Sequence, residues 1–186
     1  MSPHAASRPT FGRTLVAGLA GGAAFLVGTF LTFALLAGSR EGETGVLFDP
    51  DTQHPKVIAA WKETEPLPRV IDQPAVILAG MVLFAVAYAF LYRSVATAWP
   101  DRTTARVARL AMVVWIAAVF SEFMGPFNVL HQPLYLSVVA WAFWAVPAVT
   151  SAAAIVTVME RPSRDAVPGE GGQDAPRAAA EFPQRR

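Results

Sequence analysis

Glu122 is the residue whose type and position are best suited to chemistry in this sequence. It is the only charged residue between positions 110 and 130, a stretch of mainly apolar side chains. An ionised carboxylate inside a membrane helix costs at least about 2–3 kcal/mol, so such a group is expected to face other helices or a wet cavity. Two uses stay open for it: a structural hydrogen bond between helices, or the binding of a proton or a cation.

Polar residues near Glu122 define a candidate intramembrane polar site. If this stretch enters the hydrocarbon near Leu110, Glu122 lies about 18 Å further along a helix that rises 1.5 Å per residue. Pro126 is expected to end or bend the helix beside the carboxyl, because a proline ring clashes with the carbonyl four residues earlier. The other members expected at the same side of the membrane are Gln73, Asn128, Gln132 and Tyr135.

Four long apolar blocks are the elements that must position these residues. Of the 186 residues, 54% are hydrophobic and only 16% are charged, whereas about a quarter are charged in a soluble domain. The blocks do not alternate as barrel strands do, and they lack the polar face of a soluble helix. A helix crosses the hydrocarbon core with about 20 apolar residues. The sequence therefore predicts an all-α polytopic membrane protein, a bundle of four transmembrane helices at about 13–38, 74–98, 104–127 and 133–159.

Three longer segments lie outside the blocks, namely 1–12, 39–73 and 160–186, and two short turns join the later blocks at 99–103 and 128–132. Within the second, residues 55–65 can form a short amphipathic helix, because Val57, Ile58 and Trp61 share one face. This helix would lie on the bilayer surface or cap the mouth of the bundle above Glu122. The last segment is rich in Pro, Gly, Ala and charge, and it is expected to be a disordered tail.

Basic residues near the block ends predict the orientation in the membrane. One side carries Arg8, Arg13, Arg93, Arg102, Arg106, Arg109, Arg161 and Arg164. The other side carries Arg40, Lys56, Lys62 and Arg69. Both termini are therefore expected to be cytoplasmic and the long connection extracytoplasmic. The first block exceeds the roughly 7–15 apolar residues of a signal peptide, so we expect it to stay as a membrane anchor. The Ala- and Arg-rich composition indicates a bacterial inner (cell) membrane.

Small residues follow one another at four-residue spacing in the first block. Gly18 and Gly22 form a G-x-x-x-G pair, and Ala24 and Gly28 form a second row. Such residues let helix backbones approach closely. We expect this face to pack inside the monomer, with self-association or a partner's helix as the alternative.

Several chemistries are disfavoured by the residues present. The chain has no cysteine and only three histidines, none of them within a block, so thiol chemistry and a bis-histidine haem are disfavoured. Asp49, Asp51 and His54 lie close together but are more typical of turns and caps than of a metal site. No cofactor is expected. The basic residues lie at block ends, which reflects topology and not nucleic-acid binding.

The sequence leaves three hypotheses for the function open. The first is a non-catalytic accessory subunit that packs against other membrane protein subunits or a copy of itself. The alternative is a small oligomeric transporter or channel whose proton- or cation-binding group is Glu122. The third is a membrane enzyme acting on lipid, with Glu122, Asp72 or His131 as its acid or base.

Overall fold

The computed structural model describes residues 9–36, 45–69 and 73–161, and this part of the chain contains helices and no strand. Four helices are long and apolar enough, by length and composition, to cross a membrane. They are Phe11–Ala34, Pro74–Ala98, Thr103–Phe127 and Leu134–Glu160. The predicted all-α fold with four membrane-crossing helices is confirmed. The expected tail lies outside the described residues from position 162 onward.

Five α-helices, α1 to α5 in chain order, occur in the described residues. Helix α1 spans Phe11–Thr29 and continues as wider π-helical turns over Phe30–Leu36. Helix α2 is Pro55–Ile58, extended by π-helical turns over Ala59–Glu63. The short helix expected in the long connection is therefore present.

The remaining three helices complete the bundle. Helix α3 spans Pro74–Val95 and is followed by a 3₁₀ turn at Ala96–Ala98. Helix α4 spans Thr103–Glu122 and passes into π-helical turns at Phe123–Phe127. Helix α5 spans Leu134–Glu160. The start of α1 and the end of α5 lie together at one end of the bundle, called the termini side, where the Arg13 side chain donates to the Val158 carbonyl. Residues 45–69 lie at the other end, called the loop side.

Local sequence explains where two of the long helices begin. The side chain of Thr10 accepts a hydrogen bond from the Arg13 N–H, 3.3 Å away, and so caps α1. Pro74 is the first residue of α3, where its missing N–H leaves no gap in the hydrogen-bond ladder. Gln73 occupies the cap position of α3 without a side-chain cap bond. Asp72, an acid or base candidate of the enzyme alternative, lies outside the described residues.

Helix α1 is the central element of the bundle. It packs along α3 on one side and along α5 on the other, and α4 packs mainly against α5. Helices α3 and α4 make few contacts with each other, although they are adjacent in the chain. The four long helices therefore stand in the spatial order α3, α1, α5, α4.

Glycines in α1 permit this central packing. A Cβ atom at Gly18 would lie 2.6 Å from the Cα of Val86 on α3. At Gly28 it would lie 2.8 Å from the Cα of Pro147 on α5. Both distances are shorter than side-chain carbons tolerate, so only glycine allows the helices this close. The structure thus places the small residues of α1 against helices of the same chain; Gly22 faces α3, and the Ala24 carbonyl accepts a hydrogen bond from Thr150 on α5.

A polar cluster joins three helices at the termini side. Glu160, the last residue of α5, accepts hydrogen bonds from the Tyr92 hydroxyl and the Thr103 hydroxyl, both at 2.7 Å. The Arg106 guanidinium pairs with the same carboxylate at 2.8 Å. Glu160 was expected to begin the tail, but it ends a helix because these partners on α3 and α4 hold it.

Candidate functional site

Glu122 lies where α4 changes its helical register. It is the last residue of the α-helical segment, and the π-helical turns begin at Phe123. Pro126 explains the change. A proline has no N–H to donate to the carbonyl four residues earlier, which is that of Glu122, and in a π turn this carbonyl accepts from the N–H five residues ahead instead. The side chain of Glu122 is only 8% exposed. The carboxyl therefore faces the protein interior, as expected from its cost in lipid.

A chain of amides connects Glu122 to the rest of the loop side. Gln132 Nε2 donates to Glu122 Oε1 at 2.9 Å and to the hydroxyl of Ser137 at 3.1 Å. Gln53 Nε2 donates to Gln132 Oε1 at 3.3 Å and to the Leu47 carbonyl at 2.9 Å. Gln53, Gln132 and Ser137 are all buried. One polar network thus ties α4, the start of α5 and the long connection together.

Two further buried polar groups occur on α5 and α1. The indole of Trp144 on α5 interacts with Glu122, but its N–H lacks a hydrogen bond of standard geometry within the described residues. The hydroxyl of Thr29 on α1 is also buried, again with no hydrogen-bond partner among the residues described. Buried polar atoms are normally paired. A hydrogen bond to a further polar group would therefore stabilise each of these two atoms.

Glu122 forms part of the wall of a cavity of about 590 Å³. Helix α1, α3, α4, α5 and the long connection all contribute to this wall. In the part of the chain that the structure describes, it is lined by Leu26, Val27, Thr29, Phe30, Leu31, Phe33, Ala34, Leu47, Phe48, Val57, Trp61, Leu78, Met81, Glu122, Pro126, Gln132 and Trp144. Pockets of about 300–1,000 Å³ hold drug-sized ligands. The volume therefore suits a small organic molecule, and the walls are apolar apart from the Glu122 end.

The rim of the cavity reaches the outer apolar surface of the bundle. Four lining residues are substantially exposed, with relative accessibilities of 40–59%. They are Val27, Phe30 and Leu31 on α1 and Leu78 on α3. The opening thus lies between α1 and α3, on the surface that meets hydrocarbon when the helices cross a bilayer.

Helix α2 covers the cavity from the loop side. Val57 is 2% exposed, and the ring of Trp61 packs edge-on against Phe48 with centroids 6.2 Å apart. Leu47 and Phe48 pack in turn against Leu136 of α5. Of the two positions that the sequence allowed for this helix, the structure shows the one over the mouth of the bundle.

The residues expected around Glu122 do not all meet it. Gln132 contacts it directly. Tyr135 is exposed and donates its hydroxyl hydrogen to the Thr52 carbonyl at 2.7 Å, which ties the long connection to α5. Gln73 is exposed and accepts a hydrogen bond from Arg69 at 3.3 Å, and Asn128 is exposed after the π-helical turns of α4.

Three members of the site were not found from the sequence. Gln53 lies in a connection 79 residues from Gln132, with no periodic pattern to place it. Ser137 and Trp144 lie inside a helix that is apolar on all sides, so no face was distinguished from the others. The sequence did contain one signal that these two residues act together: Ser137 and Trp144 are seven residues apart and therefore share a helix face.

The acidic turn before α2 has the structure of a turn. The Asp49 carboxylate accepts a hydrogen bond from the Asp51 N–H at 3.0 Å. The imidazole of His54 accepts one from the Lys56 N–H at 3.2 Å and caps α2. No group of three or more potential metal ligands comes together within the described residues.

Fold and site together define a class: a four-helix bundle of membrane-crossing type with one buried carboxyl group at the end of an otherwise apolar cavity. No protein-family model, no curated protein and no solved structure matches the chain.

Proposed function

We propose that the protein is a small membrane carrier that binds an organic ligand in the cavity beside Glu122. The observation that carries the proposal is the position of this buried carboxyl on the wall of a cavity of about 590 Å³. A purely structural carboxyl needs a partner but no cavity. A ligand site is typically an apolar pocket with a few polar groups that orient the ligand.

The polar network supports the same reading. Gln132 holds one oxygen of the carboxyl, and Ser137 and Gln53 hold Gln132. Side chains that are fixed by neighbouring hydrogen bonds present a ligand with a preorganised polar group. Among the described residues, Gln132 makes the one hydrogen bond of standard geometry to Glu122, at Oε1, and with the Trp144 indole beside it the carboxyl can still accept from a ligand.

Photolabelling tests whether the cavity binds ligands. The wild-type protein in lipid nanodiscs would be irradiated with octanol that carries a diazirine, and the labelled residues would be identified by mass spectrometry. We expect adducts on Met81 and Glu122, which line the cavity, in excess of those on Met112. Met112 is 52% exposed on the outer surface of α4 and reports labelling from the lipid phase.

A cavity-filling variant provides the matched control. Leu78→Trp places an indole in the cavity rim and should abolish the excess label on Met81. Leu83→Trp makes the same change on the same helix at a residue that is 68% exposed and does not line the cavity, and it should leave the label unchanged. Equal labelling of Met81 and Met112 in the wild-type protein would contradict the proposal.

An accessory subunit is the second candidate, and the exposure of α3 favours it. Only 17% of an 18-residue apolar stretch of this helix is buried, and the helix packs mainly on α1. A neighbouring subunit would cover this surface. Native mass spectrometry after mild solubilisation separates the two: an accessory subunit leaves the membrane in a stoichiometric complex with another protein, and a carrier leaves alone or with copies of itself.

A further inference from the structure

We propose that the cavity beside Glu122 selects a lipophilic organic cation, such as an alkylated ammonium, as its ligand. The inference rests on the proposed function, because it names the chemical class that the same site takes. It is argued from the charge of the wall, the aromatic rings around it and the scarcity of other polar groups.

Charge is the first argument. Glu122 is the only ionisable residue among the seventeen lining residues. Both ion pairs found within the described residues involve Arg106 at the termini side, and neither reaches Glu122. A buried carboxylate is strongly stabilised by a nearby positive charge, and without one it tends to take up a proton. A cationic ligand supplies that charge, whereas an anionic ligand would meet a like charge and no basic side chain on the wall described.

The aromatic residues of the wall are the second argument. Trp61, Trp144, Phe30, Phe33 and Phe48 all line the cavity. A cation within about 6 Å of a ring face is attracted by the ring quadrupole, most strongly at tryptophan. One ring of the wall already makes such a contact with a residue outside the lining set, since the Lys62 ammonium lies 5.0 Å from the centroid of Phe48. Substituted ammonium groups therefore find both a carboxylate and aromatic faces here.

The lack of further oxygen ligands is the third argument, and it distinguishes an organic cation from a metal ion. A calcium ion takes about six to eight oxygen ligands, and magnesium demands a near-octahedral set. The described wall offers one carboxylate, the Gln132 amide and the Thr29 hydroxyl in an apolar setting. Apolar walls instead favour alkyl or aryl groups on the ligand, through burial of apolar surface.

A pair of isosteric competitors tests charge recognition. Hexyltrimethylammonium carries a positive nitrogen, and 2,2-dimethyloctane has carbon in its place with the same shape. Each would be added to wild-type protein in nanodiscs at a known mole fraction of lipid, together with the diazirine octanol. The readout is the mole fraction that halves the excess label on Met81. A charge-assisted contact predicts that the ammonium competes roughly tenfold or more better than the neutral compound.

Two variants test whether the charge of Glu122 causes the preference for the ammonium compound. In Glu122→Gln, which keeps the shape of the side chain and removes its charge, the preference should fall to about twofold or less. In Asp101→Asn, which removes the same charge from an exposed side chain at the termini side, the preference should persist. If the preference also disappears in Asp101→Asn, the overall charge of the protein attracts the cation, and the inference is wrong.

The outcomes separate this inference from the function on which it rests. Equal protection by both compounds in the wild-type protein would overturn the cation inference and leave ligand binding in the cavity intact. Absence of any excess label on Met81 would overturn both. If Glu122→Gln does not fold, the comparison of the two compounds in the wild-type protein still decides between these outcomes.

Discussion

Replacing Glu122 with leucine should destabilise the protein, whereas replacing it with glutamine should not. Gln132 Nε2 uses its two hydrogens on Glu122 and on Ser137, at 2.9 and 3.1 Å. The amide oxygen of a glutamine at position 122 can accept the first of these bonds, so the free energy of unfolding should change by less than about 0.5 kcal/mol. Leucine cannot, and an unpaired buried N–H costs about 1–3 kcal/mol.

The assay is the free energy of unfolding by steric trapping in bicelles, without added ligand. Gln132→Leu and the double variant with Glu122→Leu complete a double-mutant cycle, and residues in one hydrogen-bond network should couple by about 0.5–3 kcal/mol. Gln73→Leu is the control, because this amide is exposed and bonds only to Arg69 among the contacts described. If Glu122→Leu is as stable as the wild-type protein, the carboxyl does not hold the network and the reasoning fails.

Three further predictions follow from other parts of the bundle. Gly18→Ala should cost about 1–3 kcal/mol by overpacking α1 against α3, while Gly80→Ala, with open space around its Cα, should cost nothing in the same unfolding assay. Tyr92→Phe should cost about 0.5–1.5 kcal/mol through the lost hydrogen bond to the C-terminal residue of α5; a variant with wild-type stability would show that the termini-side cluster is dispensable. For orientation, an impermeant maleimide applied to intact cells should label Thr64→Cys on the loop side and spare Thr97→Cys on the termini side, and the reverse pattern would invert the predicted topology.

The membrane-crossing helices could be predicted because their signal is local. Each is a predominantly apolar run of about 20 or more residues, and no other contact is needed to make such a run helical in lipid. The burial of Glu122 follows from the same logic, since a carboxyl inside such a run is costly on the lipid side. Gln132 could be predicted as a neighbour of Glu122 because it lies only ten residues further along the chain, across one turn.

The remainder of the site depends on contacts between distant segments. Gln53 enters the network because Leu47, Phe48 and Trp61 fold the connection onto α5, and no local pattern specifies that docking. The order of helices in space was equally hidden, because a helix that is apolar on all sides does not reveal which neighbour it prefers. Glu160 looked like the start of a tail because its partners are 54 and 68 residues away in the chain.

The position of the cavity rim, at Val27, Phe30, Leu31 and Leu78 on the lipid-facing surface, affects how affinity must be expressed. A lipophilic solute that enters there arrives from the bilayer, where partitioning has already concentrated it. The dissociation constant that describes the site is then a mole fraction in lipid, and an apparent constant calculated from the total ligand added changes with the amount of lipid in the sample. A solute of low membrane partition coefficient will therefore look weak in a cell even when its contacts with the cavity are strong.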